Sequence, residues 1–313
     1  MLYCLEVYHE NLWGASTMKV NRIRQNVLPL IAAFIWGTAF VAQSMSADYV
    51  GPFTFNAARS VIAFLFLLIL CAVLRSSKKR MGVYSPSNRK DLVIGGLCCG
   101  TALAVASNLQ QKGIETTTSG KAGFITALYI VLVPIVGIFL NRKVGKLVWL
   151  GVFLSLLGLY CLCITEEFTV AEGDFYLLGC AVCFTVQIMA VDYFVQKVDS
   201  VALSCAQFFV VTVISSVGML MMESPTVEAI GKCLLPVLYV GIFSSGVAYT
   251  LQIMAQKDSN PTVVTLLLSL ESVFATLAGA VILHDQMSGK EYFGCGLMMA
   301  AVILAQLPEK KKE

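Results

Sequence analysis

Long apolar stretches separated by short clusters of Lys, Asp, Gly, Pro and Ser constrain this chain more than any other feature. A helix crossing a hydrocarbon core of roughly 30 Å needs about 20 apolar residues, and Ser60 to Leu74 and Val201 to Met222 contain no ionised residue. Cutting at the charged and turn-rich segments places spans over residues 27–45, 52–74, 92–111, 119–140, 147–164, 175–195, 201–222, 233–253, 262–283 and 292–307. Period-two alternation with regular turns, the mark of a membrane barrel, is absent from the sequence. The fold class is therefore an all-α membrane protein with ten transmembrane helices. Composition agrees, at 58% hydrophobic and 13% charged residues with a mean hydropathy of +0.79. A soluble domain carries about 25% charged residues, so a soluble enzyme is excluded for want of polar surface.

Basic residues in the loops set the orientation. With a cytoplasmic N-terminus, the inner side collects Lys19, Arg22 and Arg24, then Arg75, Lys78, Lys79, Arg80, Arg89 and Lys90, then Arg142, Lys143 and Lys146, and finally Lys197, Lys257 and Lys310 to Lys312. The outer loops hold only Lys112, Lys121, Lys232 and Lys290. Both termini are expected in the cytoplasm, with residues 1–26 as an N-terminal segment and 308–313 as a basic tail. Residues 1–17 lack the basic n-region and apolar h-region of a signal peptide, and Met18-Lys19-Val20-Asn21-Arg22 reads as a natural start. The expected location is the plasma or inner membrane, crossed many times.

Eleven cysteines are scattered, most of them within spans, where a free Cys acts as a small apolar residue. Cys180-x-x-Cys183 would be a redox motif only beside a soluble βαβ unit. With His9 and His284 the only histidines, no zinc ligand set forms at the usual spacings. No Walker-type glycine loop is present, and orientation suffices to explain the basic loop 75–90. Neither a cofactor nor nucleic acid is expected.

An offset of 142 brings Leu109-Gln110 onto Leu251-Gln252, Leu128 onto Leu270, Val131 onto Val273 and Gly137 onto Gly279, and 143 brings Gly151 onto Gly294 and Leu154 onto Leu297. The register runs from span three to five against span eight to ten, making each half a five-span unit, residues 27–164 and 173–307. Five is odd, so the second half enters the membrane inverted. Inverted repeats are the architecture of secondary transporters, whose site lies at the repeat interface near the midplane.

The stretch Ser119-Gly-Lys-Ala-Gly-Phe-Ile-Thr-Ala-Leu-Tyr129-Ile-Val-Leu-Val-Pro134 and the stretch Ser269-Leu-Glu271-Ser-Val-Phe-Ala275, running on to Leu283-His-Asp285 and Gly294, resemble the fourth and ninth helices of the EamA domain. That domain, present twice, defines the ten-helix branch of the drug/metabolite transporter superfamily. Trp36-Gly37-Thr38 and Arg59 resemble the opening of its first copy, and the resemblance covers residues 27–307. Glu271-Ser272 stands where the family usually has Glu-Pro, and His284-Asp285 where it has Gly-Glu. If that proline makes a helix break, the ninth span here should be straighter than in relatives. The resemblance implies outward transport of small metabolites, in many members amino acids or their analogues, driven by a proton or substrate gradient.

Ionisable groups at bilayer depth are costly and by default mark a pathway or a partner. Glu271 lies about 15 Å into span nine, near the midplane, where it can carry a coupling proton, meet a substrate ammonium, or bond to a neighbouring helix. Arg59 lies about 10 Å in from the outer boundary of span two. Its guanidinium suits a substrate carboxylate, and the competing readings are snorkelling to the interface and pairing with a protein carboxylate. The remaining candidates for the substrate pathway are Trp36, Thr38, Asn108, Tyr129, Gln187, Tyr249 and Gln252, with Gln110 the repeat equivalent of Gln252. Each such group serves equally as interhelical glue.

The leading reading is a secondary active transporter of small metabolites, an exporter of amino acids or related compounds, alternating access between its inverted repeats. Its partners are a small-molecule substrate, protons if coupled, and the lipid bilayer, with the chain a monomer or a homodimer. The alternatives are a sugar or nucleotide-sugar transporter of the same superfamily, for which one arginine is thin support, and an intramembrane enzyme. Paired intramembrane aspartates are absent from the spans.

Overall fold

Capping side chains fix where the helices start. The computed structural model describes residues 16–82, 87–116, 119–141, 144–163, 171–257, 259–278, 280–281 and 287–307. Residues 1–15 of the segment ahead of Met18, the His284-Asp285 pair and the basic tail fall outside these residues. Helix α1 (Ser16–Ala47) begins ahead of the expected residue 27. Helix α2 (Pro52–Arg80) opens on Pro52, whose fixed φ suits a first turn. The Glu223 carboxylate accepts from its free Phe53 and Thr54 amides at 2.9 and 2.8 Å. Helix α3 (Arg89–Ile114) is capped by Asn88. Two short helices, α4a (Ser119–Thr126) and α4b (Tyr129–Phe139), make the fourth span, and α5 (Lys146–Cys163) closes the first unit.

The second unit repeats this plan. Helix α6 (Glu172–Phe194) leads to α7 (Ser200–Met222), whose Asp199 cap accepts from Val201 and Ala202 amides at 3.0 and 3.1 Å and pairs with Lys78 at 2.6 Å. Helix α8 (Leu234–Gln256) contains a π-helical stretch, Val240–Ala248. The ninth span is again divided, into α9a (Pro261–Leu268), capped by Asn260, and α9b (Glu271–Ala278). Helix α10 (Gly289–Gln306) starts three residues before the expected Tyr292, because Ser288 and Glu291 form a reciprocal capping box. Among the described residues there is no strand, and nine of these spans are long and apolar enough to cross a membrane by length and composition. The tenth, α10, carries Lys290 and Glu291 in its first turn.

The ninth span is divided although serine stands at 272. Helix α9 breaks at Ser269-Leu270 without a proline at 272, and its backbone bonds there match those of α4 at an offset of 142. Leu128 and Leu270 donate to Ile125 and Leu267, and Ile130 and Ser272 donate to Ala127 and Ser269, all at 3.0–3.2 Å. Thr265 and Ser269 hydroxyls donate back to carbonyls in the preceding turn, Thr262 at 2.9 Å and Leu266 at 2.8 Å, a habit that bends helices.

The repeat also governs packing. Helix α2 lies against its equivalent α7, and α5 against α10. A Cβ on Gly151 would meet the Ala301 carbonyl at 3.0 Å, and one on Gly294 the Gly158 carbonyl at 2.7 Å. An offset of 143 converts the first pair into the second, so the α5–α10 contact is reciprocal, as in a two-fold interface. Outward-facing side chains such as Leu65, Ile69, Val73 and Phe153 are exposed and apolar, as lipid contact requires.

Candidate functional site

Each helix break is followed by a candidate pathway residue that lines one cavity. Tyr129 is the first residue of α4b and Glu271 the first of α9b; the offset of 142 makes them repeat equivalents. Their side chains line the same cavity wall. That wall also includes Trp36, Arg59, Tyr249 and Gln252.

Aromatic rings hold this wall together. Trp36 packs edge-on against Tyr249 with centroids 4.8 Å apart, and its indole N–H donates to the Ser244 carbonyl at 3.3 Å. That carbonyl belongs to the π-helical stretch, a feature frequent at functional sites. Phe208 backs Tyr249, and Phe184 meets Tyr129 at 6.3 Å.

Arg59 is only 4% exposed, so it does not snorkel. One guanidinium nitrogen donates to Gln43 Oε1 at 3.4 Å, the group lies 5.6 Å from the Phe55 ring centre, and Nε has no hydrogen-bond partner. Among the described residues no carboxylate forms an ion pair with it. Glu271 is likewise buried, and among the described residues no cation forms an ion pair with it. Among the described residues, the cavity wall thus carries one permanent cation and one carboxyl group, with no ion pair to either.

Three of the expected pathway residues lie off this wall. Thr38 is engaged by the Tyr239 hydroxyl at 2.6 Å and the Ile35 carbonyl at 2.9 Å. Asn108 donates to Ala104 and Ser215 and accepts from Asn56, facing a lateral crevice among α2, α3, α6 and α7. Gln187 is buried among the amides of Gln207 and Gln252. Conversely, Phe40, Gln43, Gln110, Thr126, Phe184, Ile188, Ser244 and Leu268 belong to the wall. A sequence signal existed for some of these. Matching the caps Gly51 and Asp199 sets an offset of 148 for the first two spans of each half, which pairs Trp36 with Phe184 and Phe40 with Ile188. All four line the cavity.

Comparison with known proteins decides the family. The model of the EamA-like transporter family matches residues 25–164 and again 171–307. The chain belongs to the EamA-like transporter family. It is also 29% identical over 289 residues to an "Uncharacterized transporter" of Archaeoglobus fulgidus, covering 92% of this chain and 87% of the relative. A solved structure, titled "Crystal structure of protein", superposes with a TM-score of 0.75 at 19% identity, covering 90% of this chain and 96% of the other. That likeness concerns the fold. As an EamA-like transporter the chain is a multi-pass membrane protein handling a small molecule, and its two family-matched halves are the two five-helix units described above.

Proposed function

We propose that this EamA-like chain is a secondary active transporter that exports amino acids or related carboxylate-bearing metabolites across the plasma or inner membrane. Its termini are cytoplasmic and its inverted halves rock about the central cavity. The observation that carries the reading is the presence, in one aromatic-walled cavity, of a buried arginine and a buried Glu271 with no ion pair to either among the described residues. A zwitterion supplies both missing partners, its carboxylate to Arg59 and its ammonium to Glu271, while its side chain lies against Trp36 and Phe184. A planar guanidinium with a free N–H suits a carboxylate in particular. The transporter reading over an enzymatic one is supported by the match of both halves to a transporter family. Glu271 is proposed as the group that carries a coupling proton. One chain suffices for the site, so monomer and homodimer are equally compatible with it.

The test is counterflow of labelled amino acids into proteoliposomes. Arg59→Gln should lower kcat/KM by at least about tenfold, or about 1.4 kcal/mol, at normal expression. Unchanged transport by that variant would remove the carboxylate role.

A further inference from the structure

We propose that a directional chain of four buried glutamines holds the Gln252 carboxamide with its oxygen left over for the cavity, making Gln252 the acceptor for an N–H donor on the substrate. The inference rests on the transport reading above and assigns Gln252 as a specificity-determining residue, with Gln256 as its positioning residue.

A carboxamide offers an acceptor at one end and two donors at the other, and which end faces where follows from its neighbours. Here one neighbour is unambiguous. The Ile188 main-chain carbonyl can only accept, and Gln256 Nε2 lies 3.0 Å from it. Gln256 must therefore turn Oε1 the other way, where it accepts from Gln252 Nε2 at 3.4 Å. The same Gln252 Nε2 donates to Gln187 Oε1 at 3.4 Å, which leaves Gln187 Nε2 to donate to Gln207 Oε1 at 3.3 Å. All four side chains are buried. Every orientation thus descends from a single carbonyl on α6, and the Gln252 atom without a partner is Oε1.

Of these four residues only Gln252 lines the cavity. Its unpartnered oxygen and the Glu271 carboxyl give the wall two acceptors, while Arg59 gives it a donor. The arrangement suits a substrate bearing an ammonium or amine N–H besides its carboxylate. The offsets of 148 and 142 place Ala39, Arg59, Gln110 and Ile114 at the first-repeat positions of Gln187, Gln207, Gln252 and Gln256, so the amide chain is confined to the second repeat.

Two probes isolate the contact. L-Phenylalanine and 3-phenylpropionate share ring and carboxylate and differ in the ammonium group. In proteoliposomes the wild type should favour phenylalanine in KM by at least about tenfold, since a site built to hydrogen-bond a group rejects the analogue lacking it. Gln256→Met frees Gln252 to turn and should lower that preference several-fold without changing kcat for phenylalanine. Gln256→Glu, whose protonated carboxyl can donate to the Ile188 carbonyl while accepting from Gln252, should keep it. A purely structural role would affect both probes alike, and an unaltered preference in Gln256→Met overturns the proposal. Magnetic-resonance contacts in glutamine-labelled protein read the orientation without transport. Gln252 Nε2 should lie close to the carboxamide carbons of Gln187 and Gln256, and absence of those contacts overturns the proposal too. If the contacts are present while wild type moves neither probe, the orientation is supported and the amino-acid reading fails.

Discussion

Arg59 and Glu271 are expensive residues to place in a bilayer, since an ionised group at the helix centre costs about 2.5–3.5 kcal/mol on insertion scales. Neither forms an ion pair among the described residues, so a ligand that supplies a counter-ion should stabilise the fold. A zwitterion at a hundredfold its dissociation constant would contribute about 2.7 kcal/mol, visible as a rise in melting temperature in detergent. An Arg59→Gln protein should lose most of that rise. Glu271→Gln separates coupling from binding: proton-driven accumulation should fall by about tenfold or more, while exchange without a gradient persists. Equal accumulation by wild type and Glu271→Gln under an imposed proton gradient would show that the proton takes another route. The residues legible in advance were those whose type is anomalous at bilayer depth. A charge inside an apolar run is visible in the sequence, whereas the direction in which Thr38, Asn108 or Gln187 faces depends on which neighbouring helix claims its hydrogen bonds. The side chains of Phe40 and Ile188 escaped notice because an apolar residue in an apolar span has no signature of its own until the repeat pairs it with another.

Among the elements, ten spans and their division into two fives could be read from run length and register. The breaks in α4 and α9 could not. Both show i+3 backbone bonds, joined in α9 by hydroxyl groups bonding to carbonyls one turn back, and the break in α9 forms with serine at 272. The start of α10 was misplaced because Ser288 and Glu291 read as loop residues until their reciprocal capping is seen. The α5–α10 contact offers a test of the close backbone approach. A Gly294→Leu side chain would begin 2.7 Å from the Gly158 carbonyl, so the helices must separate. Overpacking of this kind costs about 1–3 kcal/mol, measurable as a lower midpoint of thermal unfolding. Gly296→Ala, two residues on and facing another side of the helix, meets nothing within 4 Å and should be neutral.

For the whole molecule, carboxylates tie the two halves together at both ends of the α2–α7 pair, Glu223 on the first turn of α2 and Asp199 on Lys78 near its last. Movement between the halves is therefore easier around this pair than along it. Under the proposed orientation these ties face opposite sides of the membrane. A cysteine at Glu228 should react with an impermeant maleimide in right-side-out vesicles and one at Lys79 in inside-out vesicles, and the reverse pattern would invert the orientation. The reciprocal packing of α5 on α10 has a further consequence. Two separate copies of one five-helix unit arranged in this way would be obliged to place identical residues about the axis, either two acids or two tyrosines at Tyr129 and Glu271, and either two arginines or two glutamines at Arg59 and Gln207. Like charges so placed would repel in a medium that screens them poorly. Joining the halves in one polypeptide lifts that obligation, and allows a nearly symmetric scaffold to enclose a centre with one acid and one base.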